Sequence, residues 1–286
     1  MASHCIALIT DSTCDIPQEL FDRYDIIVVP LLILWGDEAL RDRIDLQPQA
    51  FYQRLTEDPV HPKTAHPNPP RFVRAYEEAK ESGAEEIVMI TISSEMSGTF
   101  DAAQQAAKQV DMPVHCLDAR GPTMSLGWQV LAAARAREAG GDAEAMLAAA
   151  QEVRQGMVQM VCLDTLEYLH KGGRIGGATR FIGTLLHVKP IIYIDHELGS
   201  VEPATQVRTR KRSLETLYQR FFAQLDTHKS LHIAVLHGDA PEDAQRIAQR
   251  IRRDYAPSEL LINMTGPVLG VHTGPGAIAL CGYTEG

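Results

Sequence analysis

Short apolar runs alternate with helix-like segments through the first half of this chain, and that rhythm leaves few folds open to it. Residues 6–10, 26–34, 87–92 and 114–117 read as strands. Helical composition fits 17–24, 48–55, 70–82, 98–110 and 125–139. Strand and helix in turn imply a parallel sheet covered on both faces. An Ala-rich helix follows at 143–155, with Gly156 as its stop. Beyond it, strands are expected at 157–163, 190–195, 201–207, 231–236, 260–264 and 277–283, and helices at 165–170, 180–187, 210–224 and 241–254. Residues 195–200 look like a hairpin connection, which makes this second sheet mixed. The expected fold is therefore α/β in two domains. Residues 1–156 form a parallel-sheet α/β/α domain and residues 157–286 a mixed-sheet α/β domain. At 286 residues the chain exceeds the size at which one core usually stays single.

Composition narrows the function classes. There are 27 Lys and Arg against 37 Asp and Glu, a net charge of −10, which argues against general nucleic-acid or anionic-membrane attachment. Cys5, Cys14, Cys116, Cys162 and Cys281 are odd in number, scattered and mostly set in apolar runs, so they read as reduced thiols and not as a disulfide framework or zinc site. The longest apolar run, 26–35, is too short to span a bilayer, and no signal peptide precedes Ile6. A cytoplasmic protein without stable membrane insertion is expected.

Three segments carry candidate chemistry. The run from Ile87 to Phe100 is a strand entering a hydroxyl-rich helix start with Ser93, Ser94, Ser97 and Thr99. Unpaired N–H groups and the helix dipole suit such a spot to a carboxylate or phosphate; the competing reading is a capping box with Ser94 as N-cap. The segment from Val60 to Pro70 is rich in proline, which excludes a helix or a central strand and makes it a stiff extended loop carrying Thr64 and His66. Between Gly266 and Ala277, glycines bracket His272, as chains do where backbone approaches something closely. If these loops converge where the domains meet, they offer two hydroxyls and an imidazole to one anion.

With Thr10-Asp11-Ser12-Thr13, Lys63-Thr64 before His66-Pro67, Ser93 to Phe100, Gly172-Gly173-Arg174, Arg208-Thr209-Arg210-Lys211 and Gly270 to Ala277 occurring in this order, the chain resembles the DegV family of fatty-acid-binding proteins. The resemblance spans nearly the whole chain and implies one DegV domain with the ligand between its halves. It implies that Thr64, Ser97 and His272 hold the carboxylate of a long-chain fatty acid such as palmitate, with the tail in a buried apolar tunnel. It also implies head-group or partner-facing roles for Arg174, Arg208 and Arg210, in presenting the carboxylate to a fatty-acid kinase. Ala65-His66 stands where the family often has Ser-Gln.

Other candidates are weighed against plainer readings. The four glycines with Lys171 and Arg174 between His170 and Ala178 lack Walker and Rossmann spacing. The basic run Val207 to Arg212 can equally be a solvated helix start, Asp11 to Thr13 a capped turn, and His237 a satisfied loop histidine. No metal-ligand spacing and no G-x-S-x-G elbow occurs. The expectation is a non-catalytic lipid-binding carrier in lipid transport or fatty-acid metabolism, with no cofactor and no metal. The alternative is a phosphotransferase or phosphatase using Asp11, Ser97 and Arg174 around a small phosphorylated substrate.

Overall fold

A computed structural model of the chain describes residues 5–184 and 188–285. In chain order the first half contains β1 (Ile6–Asp11), α1 (Gln18–Arg23), β2 (Ile26–Val29), β3 (Leu32–Trp35), β4 (Glu38–Arg41), α2 (Pro48–Glu57), β5 (Lys63–Ala65), α3 (Pro69–Glu81), β6 (Glu86–Thr91), α4 (Thr99–Ala107), β7 (Val114–Asp118), α5 (Met124–Glu138) and α6 (Ala143–Gln155). The second contains β8 (Val158–Cys162), α7 (Glu167–Lys171), a 3-10 helix (Gly176–Thr184), β9 (Lys189–Asp195), β10 (Ser200–Val207), α8 (Arg210–Phe222), β11 (Leu231–His237), α9 (Pro241–Tyr255), β12 (Glu259–Met264), α10 (Pro267–Thr273) and β13 (Ile278–Thr284).

Four strands form a parallel sheet in the order β2-β1-β6-β7. Their apolar runs are buried on both faces, as a parallel sheet covered by helices requires. Six strands form a second sheet, β10-β9-β8-β13-β11-β12, in which β11 and β12 are parallel and the other pairs antiparallel. A small antiparallel sheet, β4-β3-β5, sits apart from both. Helix α5 links the two large sheets. Its residues from Met124 to Ala134 are buried all round, as a helix apolar on every face should be, and it packs on β1, β6 and β13. Trp128 donates its indole N–H to the Cys281 carbonyl at 3.3 Å, and one apolar cluster runs from Leu8 through Trp128 to Val161 and Cys281.

The mixed α/β architecture is as expected, with local corrections. Residues 26–34 are not one strand. Pro30, with no N–H for a ladder, stands where the chain leaves the parallel sheet after Val29 and enters the small sheet at Leu32. The Gly-bracketed loop expected after Gly266 contains a helix, α10, begun by Pro267 at a position where a missing N–H is harmless. Its His272 lies in the last turn and Gly274, at φ +71, ends it. The Pro-rich segment does hold a short strand, β5, but only at a sheet edge, where proline is tolerated. Of the helix expected over 180–187, residues up to Thr184 belong to the 3-10 helix, and 185–187 lie outside the described residues. Among the described residues no helix is long and apolar enough to cross a membrane. The five cysteines are free thiols, with Cys14, Cys162 and Cys281 buried.

Candidate functional site

Thr64, Ser97 and His272 line one cavity, although they come from an edge strand, a pre-helical turn and a helix far apart in sequence. Its walls draw on both halves of the chain: Leu31 and Ile92, which follow β2 and β6, line it together with Val161, Ile192 and Ala279 of the six-stranded sheet. The cavity holds about 940 Å³ of empty space, its open mouth included, and most of its wall is apolar.

At one end the polar groups gather. The small sheet places Thr64 opposite Ile33, and its hydroxyl lies 3.0 Å from His272 Nε2. His272 is 9% exposed, and its Nδ1 is buried without a hydrogen-bond partner. Burial, followed by the nearby Arg174 and His61, pushes its pKa down to about 4, so the imidazole is neutral at pH 7. The Gly-Gly-Arg segment explains how it fits: a Cβ on Gly172 would overlap His272 Nδ1. Gly172 thus serves close packing, a plainer role than a phosphate cradle.

The hydroxyls around Ser97 have separate fates. Ser93 Oγ donates to the Gly199 carbonyl at 2.7 Å, docking the β9–β10 turn on the first half. Ser94 Oγ donates to Asp118 Oδ2 at 2.6 Å, so it does not cap α4, whose N-cap is Gly98 with no side-chain cap. Thr99 is fully buried and shares a 2.8 Å hydrogen bond with Ser97. Ser97 alone of the four reaches the cavity. His66 is exposed at the cavity wall with its ring over Gly98, where an added Cβ would stand 3.0 Å from its Cε1.

The three arginines do not converge. Arg174 lines the cavity and an adjoining groove, held by hydrogen bonds to the Met96 carbonyl (3.1 Å) and the Gly172 carbonyl (3.0 Å). Arg210 starts α8 and is paired with Asp243 (2.8 Å) and Asp164 (3.3 Å), lining a different depression with Lys189. Arg208 is exposed and absent from the cavity wall. Of the three arginines expected to be head-group or partner-facing, Arg174 alone lines the cavity, while Arg208 and Arg210 lie just before and at the start of α8.

Asp11 also lies off the cavity. It is fully buried, accepting from the Thr13 N–H (2.9 Å), the Thr13 hydroxyl (2.5 Å) and the Ile92 N–H (2.7 Å), and burial raises its pKa. It fixes the β6 exit instead of facing a ligand, which removes the proposed grouping of Asp11 with Ser97 and Arg174. His237 is satisfied by the Ala240 N–H at 3.3 Å. Among the described residues no three His, Cys, Asp or Glu side chains are grouped to hold a metal ion.

Sequence reasoning missed Thr265 and Thr273 near His272, and Thr123 and Gln159 deeper in the wall. It also missed a buried polar cluster. Ser12 Oγ accepts from the Leu31 N–H and donates to Asp42 Oδ2, while Arg43 pairs with Asp15 Oδ1, which also accepts from the Gly266 N–H at 3.0 Å. The signal was an Asp in a run of apolar neighbours, but its partners are too distant in sequence to read.

The family model described as "Uncharacterised protein, DegV family" matches residues 5–285. A DegV domain-containing protein of Streptomyces coelicolor is 38% identical over 283 residues, covering 98% of each chain. Protein DegV of Bacillus subtilis is 31% identical over 278 residues, 96% of this chain and 98% of its own. Among solved structures, a Thermus thermophilus DegV family protein described for its fatty acid binding matches at 33% identity with a TM-score of 0.92, covering 98% of this chain and 100% of that one. DegV of Bacillus subtilis, described as a fatty acid binding protein, matches at 30% identity and a TM-score of 0.91, covering 99% and 100%. With a family match from Cys5 almost to the C-terminus and relatives aligned along their whole length, this chain belongs to the DegV family.

Proposed function

We propose that this protein binds a long-chain fatty acid, carboxylate toward Thr64 and Ser97 and tail along the apolar wall, and carries it without acting on it chemically. The observation that carries this reading is one mostly aliphatic cavity whose wall brings the Thr64 and Ser97 hydroxyls together with a buried neutral imidazole and a single arginine. The tautomer with hydrogen on His272 Nε2 donates to Thr64 and leaves the Thr64 hydroxyl hydrogen for the ligand, so His272 orients the donor while remaining uncharged. Arg174 supplies the positive charge from the side. That division suits an acid over an alcohol or ester.

Magnitudes assign affinity to the tail. Burying roughly fourteen methylenes at about 0.8 kcal/mol each contributes on the order of 11 kcal/mol gross, against an association cost of about 4–15 kcal/mol. One head-group hydrogen bond contributes about 0.5–1.5 kcal/mol net, or about 1.5–3 to a charged partner. The groove beside Arg174, bordered by Gly98 and Ser200, is the face through which a partner kinase would reach the carboxylate in lipid transport or fatty-acid metabolism.

Native mass spectrometry of purified protein tests the reading. The expected result is a near-stoichiometric adduct that denaturing extraction releases as fatty acid. Protein from several expression hosts that carries no lipid and takes up neither palmitate nor oleate would remove it. Acyl-phosphate formed from ATP, magnesium and fatty acid by this protein alone would replace the carrier with an enzyme.

A further inference from the structure

The end of the cavity remote from His272 is not aliphatic. Along β13, Ala277 and Ala279 line the cavity in turn, and the next residue on that face, Cys281, pairs with Gln159 of β8. Gln159 thus lies about 13 Å along the sheet from Ala277, at about 3.3 Å per residue, and Ala277 is the end of this row that follows α10, the helix carrying His272. It is 2% exposed and lines the cavity with Thr123.

The hydrogen bonds leave donors at this inner end. Gln159 Oε1 accepts from the Ser125 N–H at 3.2 Å and from the Ser125 hydroxyl, and the Ser125 hydroxyl oxygen lies 2.8 Å from His196 Nε2. The Ser125 N–H, shared with the Pro122 carbonyl at 3.1 Å, can only donate, and its approach to this end of the amide places the oxygen there. Gln159 Nε2 then donates one hydrogen to Thr123 Oγ1 at 3.0 Å. The second amide hydrogen and the Thr123 hydroxyl hydrogen have no acceptor among the hydrogen bonds of the described residues. An alkyl tail reaching this point would put methylenes against both donors, which buried donors tolerate poorly.

We infer that Thr123 and Gln159 form a second polar subsite, donating to an oxygen carried on the chain far from its carboxylate, so that the protein takes oxygenated long-chain acids bearing a hydroxyl, keto or second carboxyl group. The inference rests on the fatty-acid reading above. The test is calorimetric titration of delipidated protein with palmitate and with hexadecanoic acids carrying one hydroxyl at successive positions, each affinity expressed relative to palmitate in the same variant. In the wild type, one position or two adjacent ones should bind at least as tightly as palmitate, and Gln159→Leu should lower the relative affinity there at least tenfold. Hydroxylated acids more than tenfold weaker than palmitate at every position, or a preference unchanged by Gln159→Leu, would overturn the subsite while leaving fatty-acid binding intact. If Gln159→Leu does not fold, Thr123→Ala decides by the same ratio. Wild type that does not bind palmitate at all would overturn the fatty-acid reading and this inference with it.

Discussion

Two polar regions of this protein lie beneath its surface and differ in what surrounds them. The Ser12, Asp15, Asp42 and Arg43 cluster ties the turn after β1 and the end of β4 to Gly266 at the start of α10 through an ion pair and hydrogen bonds, although Asp15 Oδ2, Asp42 Oδ1 and Arg43 Nε are buried there without a hydrogen-bond partner. The Thr64 and His272 pair, half-buried at Thr64 and buried at His272, opens on empty space lined mostly by apolar side chains. The first arrangement holds the fold together. The second presents hydrogen-bonding capacity to something that enters. Buried polarity alone therefore does not mark a binding site; buried polarity beside volume does.

The comparison breaks most visibly at Asp15. Asp15→Ala removes the partner of a largely buried arginine and should destabilise the protein by about 3–5 kcal/mol in denaturant unfolding, with the palmitate affinity of the folded fraction within about tenfold of wild type. Loss of binding with stability intact would mean that the cluster serves the ligand. Head-group changes should do the reverse. Thr64→Ala or Ser97→Ala should weaken palmitate binding by roughly 1–3 kcal/mol and destabilise the protein less than Asp15→Ala does. Two variants with unchanged affinity would move the carboxylate elsewhere.

A change of pH also separates the regions. Burial raises the Asp42 pKa from 3.8 to about 7, so between those values the native state holds a proton that the unfolded chain releases. That contribution to stability is full below pH 3.8 and declines as pH rises through 7. His272, pushed down from 6.5 to about 4, acts oppositely: stability is lost as pH falls from 6.5 toward 4. Asp42→Asn should therefore gain on wild type as pH rises from 4 to 7, by at most about 1.4 kcal/mol per pH unit for one proton. Thermal unfolding at pH 5 and pH 7 measures it, and a constant difference between the two proteins would contradict it.

What could be read in advance follows from how local each feature is. Strands β1 and β6 were legible because burial on both faces demands the unbroken apolar runs they carry. The extended backbone around Thr64 was legible because its prolines exclude a helix and a central strand, while the role of Thr64 came only from the family resemblance. Helix α10 was hidden by glycines and prolines whose placement suits a helix only once Gly172 and Tyr168 are packed against it. The Asp15–Arg43 pair spans 28 residues and its bond to Gly266 spans 251, so no local pattern announces it. Gln159 was a missed signal of another kind. A polar residue between Val158 and Met160 in a core strand requires a partner, and Ser125 is 34 residues away.

The head-group assignment is the central claim, and carboxyl-labelled ¹³C palmitate tests it most directly. Bound to wild type, it should give one slowly exchanging carboxyl resonance, displaced in both Thr64→Ala and Ser97→Ala. A bound resonance at the same position in the wild type and in both variants would contradict the account.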